Sequence, residues 1–314
     1  MPVTVELDAQ YRQLREECGL LVRERGFVDV LGPDGAEYLQ GQLTNDVEAV
    51  GVGEGQYAAL LDRKGHMQTD LRLLRVGEEA ILLDLEPHAT GAALRHLTMY
   101  SIGRDVQVVD ASAERGAISL IGPRAAEIAG TPPLPEFANE ATTVAGVEVV
   151  AVGTRDGVDL LHPAAERERL VAALAEAGAV EVSPEAVEIL RVESGVPRFG
   201  AEMDAATMPA EAAIVDAAVS FTKGCYIGQE TVARLHYKGK PNRHLRGLRL
   251  SGAAEPGATL RLGEKEVGTL GSAVVSPALG PIGLAIVRRE AEPGVELTVG
   301  EDGVTAEVVA LPFG

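Results

Sequence analysis

The chain has 314 residues, 46% hydrophobic and 24% charged, a size and composition that allow two or three folded domains and exclude extended disorder or a fibrous repeat. Its 28 Lys and Arg stand against 47 Asp and Glu, a net charge of −19, which repels phosphate backbones and anionic membranes and leaves a local basic patch as the one route to nucleic acid. The acidic start lacks the basic and apolar regions of a secretory signal, and the most apolar run, residues 278–287, is broken by Pro281 and far short of the ~20 residues of a membrane span, so a cytoplasmic protein without membrane contact is predicted.

Along the chain, GFVDVL (Gly26–Leu31) alternates like a half-buried strand, and Gly32-Pro33-Asp34 then turns into a helix over AEYLQGQL with Asp34 as N-cap. GQYAALLD and HMQTDLRLLRV flank Arg63-Lys64-Gly65, and EAILLDLE follows Val76-Gly77-Glu78, the pattern of an antiparallel meander. A helix over Pro87–Tyr100 begins with proline in its first turn. AISLIG running into Gly122-Pro123 and RAAEIAG repeats the strand, Gly-Pro, helix plan, either as an internal duplication or as the coincidence of a common turn. Helices are expected over residues 165–176 and 183–194, the second capped by Ser183 with Pro184 and Glu185 in its first turn. Beyond Arg243 the texture becomes short strands between Gly and Pro turns, a small all-β barrel or sandwich, with the boundary between Lys238 and Arg246. The fold class is therefore α+β: antiparallel sheets with flanking helices over residues 1–240, divisible into two subdomains, and a C-terminal β-barrel over 241–314.

Gly51-Val52-Gly53-Glu54-Gly55 lacks the G-x-G-x-x-G spacing and precedes a strand, so it reads as a turn. His66, His88, His96, His162, His236 and His244 show no ligand spacing, so no metal site is predicted, and no G-x-S-x-G or P-loop is present. Cys18 and Cys225 are too far apart in sequence for a zinc knuckle or a disulfide framework. The densest chemical signal surrounds Cys225, two residues after Lys223 and at the start of a helix over GQETVARLHY, where a cation and the helix dipole favour thiolate. On the residues alone, Cys225 is either a reactive thiol or a small buried hydrophobe. The first reading expects an exposed sulfur of lowered pKa, with Cys18 as a control whose thiol the neighbouring Glu16 and Glu17 push the other way. Residues 231–254 hold no acid but carry Arg234, Lys238, Lys240, Arg243, Arg246 and Arg249, either a solvated face or a surface for an anionic ligand or partner.

Lys223-Gly224-Cys225-Tyr226-Ile227-Gly228-Gln229-Glu230 resembles the K-G-C-[FY]-x-G-Q-E signature of the folate-binding YgfZ family, which is similar to the aminomethyltransferase, or T-protein, of the glycine cleavage system. The resemblance extends to Leu39-Gln40-Gly41-Gln42-Leu43-Thr44-Asn45-Asp46, to Leu61-Asp62-Arg63-Lys64-Gly65-His66-Met67 with Asp70, to Arg191-Val192-Glu193-Ser194-Gly195-Val196-Pro197 with Gly200 and Glu202, and to Met208-Pro209-Ala210-Glu211. It implies an aminomethyltransferase-like folate-binding domain packed with a C-terminal barrel, with tetrahydrofolate or a one-carbon derivative as ligand. It also implies participation in assembly or repair of iron–sulfur proteins, with iron–sulfur enzymes or assembly proteins as partners; a monomer is expected. The site it implies has Cys225 and Lys223 in catalytic roles and Asp159, Asn45, Asp70, Arg234, Glu193 and Lys238 around the folate. Two alternatives stand beside it: a folate-dependent aminomethyltransferase of the glycine cleavage type, which would make the chain a one-carbon transferase, and a tRNA-binding or tRNA-modifying protein using residues 234–249.

Departures from the aminomethyltransferases weaken aminomethyl transfer: their Asp-Asp pair is here Thr69-Asp70, and their G-E-D-G-x-E segment is Thr154-Arg155-Asp156-Gly157-Val158-Asp159. One carboxylate can still accept two charge-assisted hydrogen bonds from a pterin edge. The anionic folate tail would suit the Arg234 to Arg249 cluster, and Tyr100, Met67 and Leu43 are candidates for the ring slot.

Overall fold

The computed structural model describes residues 5–313. A first helix, α1 (Val5–Glu16), leads into β1 (Gly19–Arg23), β2 (Gly26–Leu31), α2 (Gly35–Gln40), β3 (Gly55–Leu61), β4 (Met67–Gly77), β5 (Ala80–Leu85), α3 (Pro87–Tyr100) and β6 (Gln107–Asp110). There follow β7 (Arg115–Ile121), α4 (Ala125–Ala129), β8 (Asn139–Val144), β9 (Val147–Thr154), β10 (Gly157–Pro163), α5 (Arg167–Glu176), β11 (Val180–Glu181) and α6 (Pro184–Glu193). Short α7 (Val215–Ala218) and α8 (Gln229–Lys238) connect to β12 (Arg243–Leu250), β13 (Thr259–Leu262), β14 (Lys265–Thr269), β15 (Ser272–Ser276), β16 (Gly280–Arg288), β17 (Glu296–Val299) and β18 (Val304–Val309).

The strands form three sheets. In the first, β3-β4-β5-β2-β6, the expected meander is antiparallel throughout. The second runs β11-β1-β7-β10-β9-β8. In the third, β12-β18-β17-β13-β14-β16 closes back onto β12 as a six-stranded barrel, with β15 added outside β16. Closure satisfies the backbone groups that an open edge would leave unpaired. The architecture is thus the α+β class with antiparallel sheets, helices and a terminal barrel.

Both Gly-Pro turns have the same construction. Gly32 (φ 119°) and Gly122 (φ 126°) lie in the left-handed region, and a Cβ would stand 2.5 Å from the Asp105 carbonyl oxygen or 2.4 Å from that of Glu17, so only glycine fits either turn. Asp34 occupies the N-cap position of α2, but its carboxylate accepts from the Asp105 N–H at 2.8 Å instead of capping its own helix. Ser183 caps α6 as expected, accepting from Ala186 N–H at 3.3 Å. The helix expected from residue 165 starts as a single 3-10 turn, Ala164–Glu166, before α5.

Two features position the site. Strands β1 and β2 are consecutive yet belong to different sheets, so Arg23, Glu24 and Arg25 cross the gap between the sheets. Helix α6 binds the barrel to the rest: Val192 packs with Leu245, Ile282 and Leu284, Arg191 Nη2 donates to Ser272 Oγ at 2.5 Å, and Glu193 accepts from Ser276 Oγ at 2.5 Å. Among the described residues no helix is long and apolar enough to cross a membrane.

Candidate functional site

Where the first sheet, β1 of the second sheet and α6 meet, a cavity of about 600 Å³ opens. A larger hollow of about 760 Å³ lies against the barrel, and one of about 620 Å³ lies beside His162. Charged side chains are more numerous along the central cavity than along either of the others.

The local register explains that charge. Asp70 and Arg72 are two apart on β4 and so project from the same face. Tyr57 on β3 stands opposite Arg72 and diagonal to Asp70, and its hydroxyl donates to Asp70 Oδ2 at 2.6 Å. Burial raises the Asp70 pKa, and the Tyr57 hydrogen bond and the charge of Arg25 offset this only in part. Burial and the adjacent Asp70 hold the Tyr57 hydroxyl well above its usual value, so it stays a donor.

Behind Asp70 runs a chain of ion pairs. Asp84 on β5, opposite Arg72, is fully buried, accepts from Arg25 Nε at 2.5 Å and from Arg72 Nε at 2.9 Å, and also contacts Arg72 Nη2. Burial alone would raise its pKa, but the two guanidinium groups outweigh that and hold it near about 2. Arg25 also donates to Glu86 at 2.5 Å. Arg72 reaches across to the second sheet, where its Nη1 lies 2.6 Å from Asp159 Oδ2. Ser119, register partner of Asp159, donates to its Oδ1 at 2.6 Å, and Oδ2 accepts no well-aligned hydrogen bond. The opposite wall is a second network: Glu188 and Glu202 accept from Arg191, and Glu188 also from Arg198 at 3.1 Å.

Of the residues singled out from the sequence, the structure places Asp70 on the same strand face as Arg72, which pairs with Asp159, and joins Lys223 to the Asn45 carbonyl; the others lie apart. Asn45 spends its amide on the carbonyls of Tyr57 (2.9 Å) and Ala217 (3.1 Å), fastening β3 to α7. Glu193 is buried among Tyr11, Arg15 and Ser276, where it ties α1 and α6 to β15. Arg234 and Lys238 are exposed on α8, and Arg243 pairs with Glu211 at 2.7 Å, so none of these lines the central cavity. Met67 and Leu43 are core residues of the first sheet, and Tyr100 accepts from Arg63 at 3.1 Å at the end of α3; the aromatic ring on the cavity wall is Tyr57.

Lys223 corrects an expectation about Cys225. Its ammonium donates to the carbonyls of Gln40, Leu43 and Asn45 at 2.6, 2.7 and 2.8 Å, which uses all three protons to fix the loop after α2. Burial lowers its pKa to about 8, against the opposing charges of Asp46 and Glu48. Helix α8 begins only at Gln229, after Gly228, so neither the lysine nor the helix end is spent on the sulfur.

Cys225 is exposed, whereas Cys18 is fully buried and its thiol is pushed up to about 11 by burial, which outweighs the Ile121 hydrogen bond and the charge of Arg124. In the native protein iodoacetamide is therefore expected to alkylate Cys225 and spare Cys18 until denaturant is added, as read by peptide mass. Cys225→Ser should shift stability by less than ~0.5 kcal/mol. Prior labelling of Cys18 would refute this assignment of exposure.

Sequence reasoning missed Tyr57, Arg72, Asp84, Arg23 and Arg25. Two signals were available: Asp70 and Arg72 recur on one face inside an otherwise apolar strand, and Asp84 is a lone carboxylate within AILLDL.

Comparison with known proteins follows the same outline. Residues 3–223 match the family described as GCVT N-terminal domain, and residues 243–313 match the Glycine cleavage T-protein C-terminal barrel domain. The chain is 32% identical to an aminomethyltransferase of Rubrobacter xylanophilus, covering 100% of this chain and 88% of that protein. It is 29% identical to an aminomethyltransferase of Listeria monocytogenes, covering 98% and 89%. The crystal structure of the glycine cleavage system aminomethyltransferase T from Bartonella henselae superposes with a TM-score of 0.89 at 24% identity, covering 100% of this chain and 90% of that one, a likeness of fold.

Proposed function

The chain belongs to the GCVT family of the glycine cleavage T-protein, and on that premise we propose that its central cavity binds a reduced folate and serves one-carbon transfer of the aminomethyltransferase kind. Asp70 carries this reading: a carboxyl of raised pKa, aimed by Tyr57, on the wall of a cavity of about 600 Å³. A buried acid tuned upward and held by a hydrogen bond is the type of group that exchanges protons with a reacting amine.

The residues fit tetrahydrofolate. The volume lies within the range of small-molecule sites, and Pro184, Val187 and Pro197 give apolar wall opposite the acids. Asp70 and Glu86 on the wall offer carboxylate acceptors of the kind a pterin N–H edge needs, whereas Asp159 lies buried behind it against Arg72 and Ser119. When bound, tetrahydrofolate supplies the nucleophilic nitrogen that takes up the one-carbon unit. Asp70 holds the proton exchanged at that nitrogen, Tyr57 orients Asp70, and the walls exclude water. Thr69, fully buried, stands where aminomethyltransferases have a second acid, so Asp70 acts alone. In this reading residues 1–240 form the folate-binding domain and the barrel from 241 onward backs its wall through α6. Isothermal titration with tetrahydrofolate should show saturable binding, and absence of heat at millimolar concentration would remove the ligand.

One observation favours a second reading, the support of iron–sulfur proteins as in the YgfZ group: Cys225, within Lys223-Gly224-Cys225-Tyr226, presents its sulfur at the surface, open to a client protein. Its test is rescue of an iron–sulfur enzyme activity in a deficient cell, and full rescue by Cys225→Ser would dismiss it.

A further inference from the structure

Arg23 ends β1 and lies half-buried on the wall of the central cavity, yet its guanidinium makes no hydrogen bond or ion pair with any described residue. The carboxylates around it are committed elsewhere. Asp84 and Glu86 hold Arg25, Asp84 and Asp159 hold Arg72, and Glu188 on the far wall holds Arg191 and Arg198. These four carboxylates face five guanidinium groups, and that of Arg23 is the one left without a protein acceptor.

A guanidinium keeps its charge in such a wall, and a partly hydrated one attracts an anion more strongly than one in open solvent. Burial does push the Arg23 pKa down, against the field of Asp159. Arg25 and Arg72 add like charge to that field and Asp84 adds opposite charge, but Asp84 and Asp159 are both engaged with other guanidinium groups, so an incoming anion meets no carboxylate already paired with Arg23. The planar fork of arginine matches a carboxylate in two parallel hydrogen bonds.

We propose that Arg23 is the anchor for a carboxylate on the occupant of the central cavity. The inference rests on the folate reading for the identity of that occupant, and the carboxylate has two possible sources: the glutamate tail of the folate, or a separate small acid bound beside it. It assigns the anionic end of the ligand to the crossing between the two sheets, away from the basic stretch on α8 and the barrel.

The test compares the full-length wild type with Arg23→Gln. Both are titrated with tetrahydrofolate and with 6-methyltetrahydropterin, which lacks a carboxylate, and both are melted with and without acetate or glycine at constant ionic strength. If the tail is the source, Arg23→Gln weakens tetrahydrofolate about tenfold or more and leaves the pterin unchanged. If a small acid is the source, folate affinity is unchanged and the melting-temperature rise produced by acetate or glycine in the wild type disappears in the variant. Equal weakening of folate and pterin, or no difference between the proteins in either assay, overturns the assignment. A wild type that binds neither folate nor pterin refutes the folate reading, and the melting arm then decides Arg23 alone. The variant without ligand is expected to melt no lower than wild type, since it loses no partner.

Discussion

Asp84→Asn is expected to destabilise the protein by about 3–5 kcal/mol, the range seen when one member of a buried ion-pair network is neutralised. Asp84 is the common acceptor of Arg25 and Arg72, and both guanidinium groups stay charged when it is lost. Asparagine keeps the shape and one acceptor, so the loss isolates the charge. The pH dependence follows from the folded pKa of about 2, below the unfolded value of roughly 3.9. A depressed carboxylate contributes stability that is present above the unfolded pKa and lost as pH falls between about 4 and 2. Thermal melts from pH 7 to pH 2 should show a wild-type decline over that window and a variant that starts lower and declines less. A variant melting within a degree of wild type at neutral pH would mean that Arg25 and Arg72 are satisfied by other groups.

Asp70→Asn is expected to have the opposite balance: turnover of a one-carbon transfer falls by about 10²–10⁴-fold, the usual contribution of a positioned acid or base, while the melting temperature stays level or rises. The sign of the stability change follows from the raised folded pKa. The native state then binds the proton more tightly than the unfolded chain, so stability falls as pH rises from the unfolded pKa toward the folded one, and the ionised group costs stability above it. Asparagine removes that cost and still accepts from Tyr57. Single-turnover rates and melts on the same preparation separate the outcomes, and a variant with lost activity and a lowered melting temperature would assign Asp70 to structure.

The meander of β3, β4 and β5 was legible because its strands alternate and its turns are short, and the barrel was legible from its run of Gly-punctuated strands. By contrast β11 is two residues long and is defined by parallel pairing with β1, a long-range contact with no local pattern. Within the site, Asp70 stood in a matched segment and could be named. Arg23 and Arg25 could not, because charged residues in a link between two strands ordinarily face solvent. These are drawn inward only by the docking of two sheets whose pairings span much of the chain. Lys223 misled for a related reason: its neighbour in sequence is Cys225, but its partners are carbonyls at the end of α2 and in the loop after it.

The double engagement of Arg72, with Asp84 on one sheet and Asp159 on the other, also constrains how this sequence can drift. Replacing Arg72 leaves buried Asp84 to Arg25 alone and buried Asp159 to the Ser119 hydroxyl alone, and replacing either carboxylate leaves the arginine half-matched, so each single step passes through a less stable intermediate. Such trios change together or not at all. Lineages that share the fold but differ here are therefore expected to differ at all three positions, with an apolar or oppositely arranged set in place of Arg72, Asp84 and Asp159.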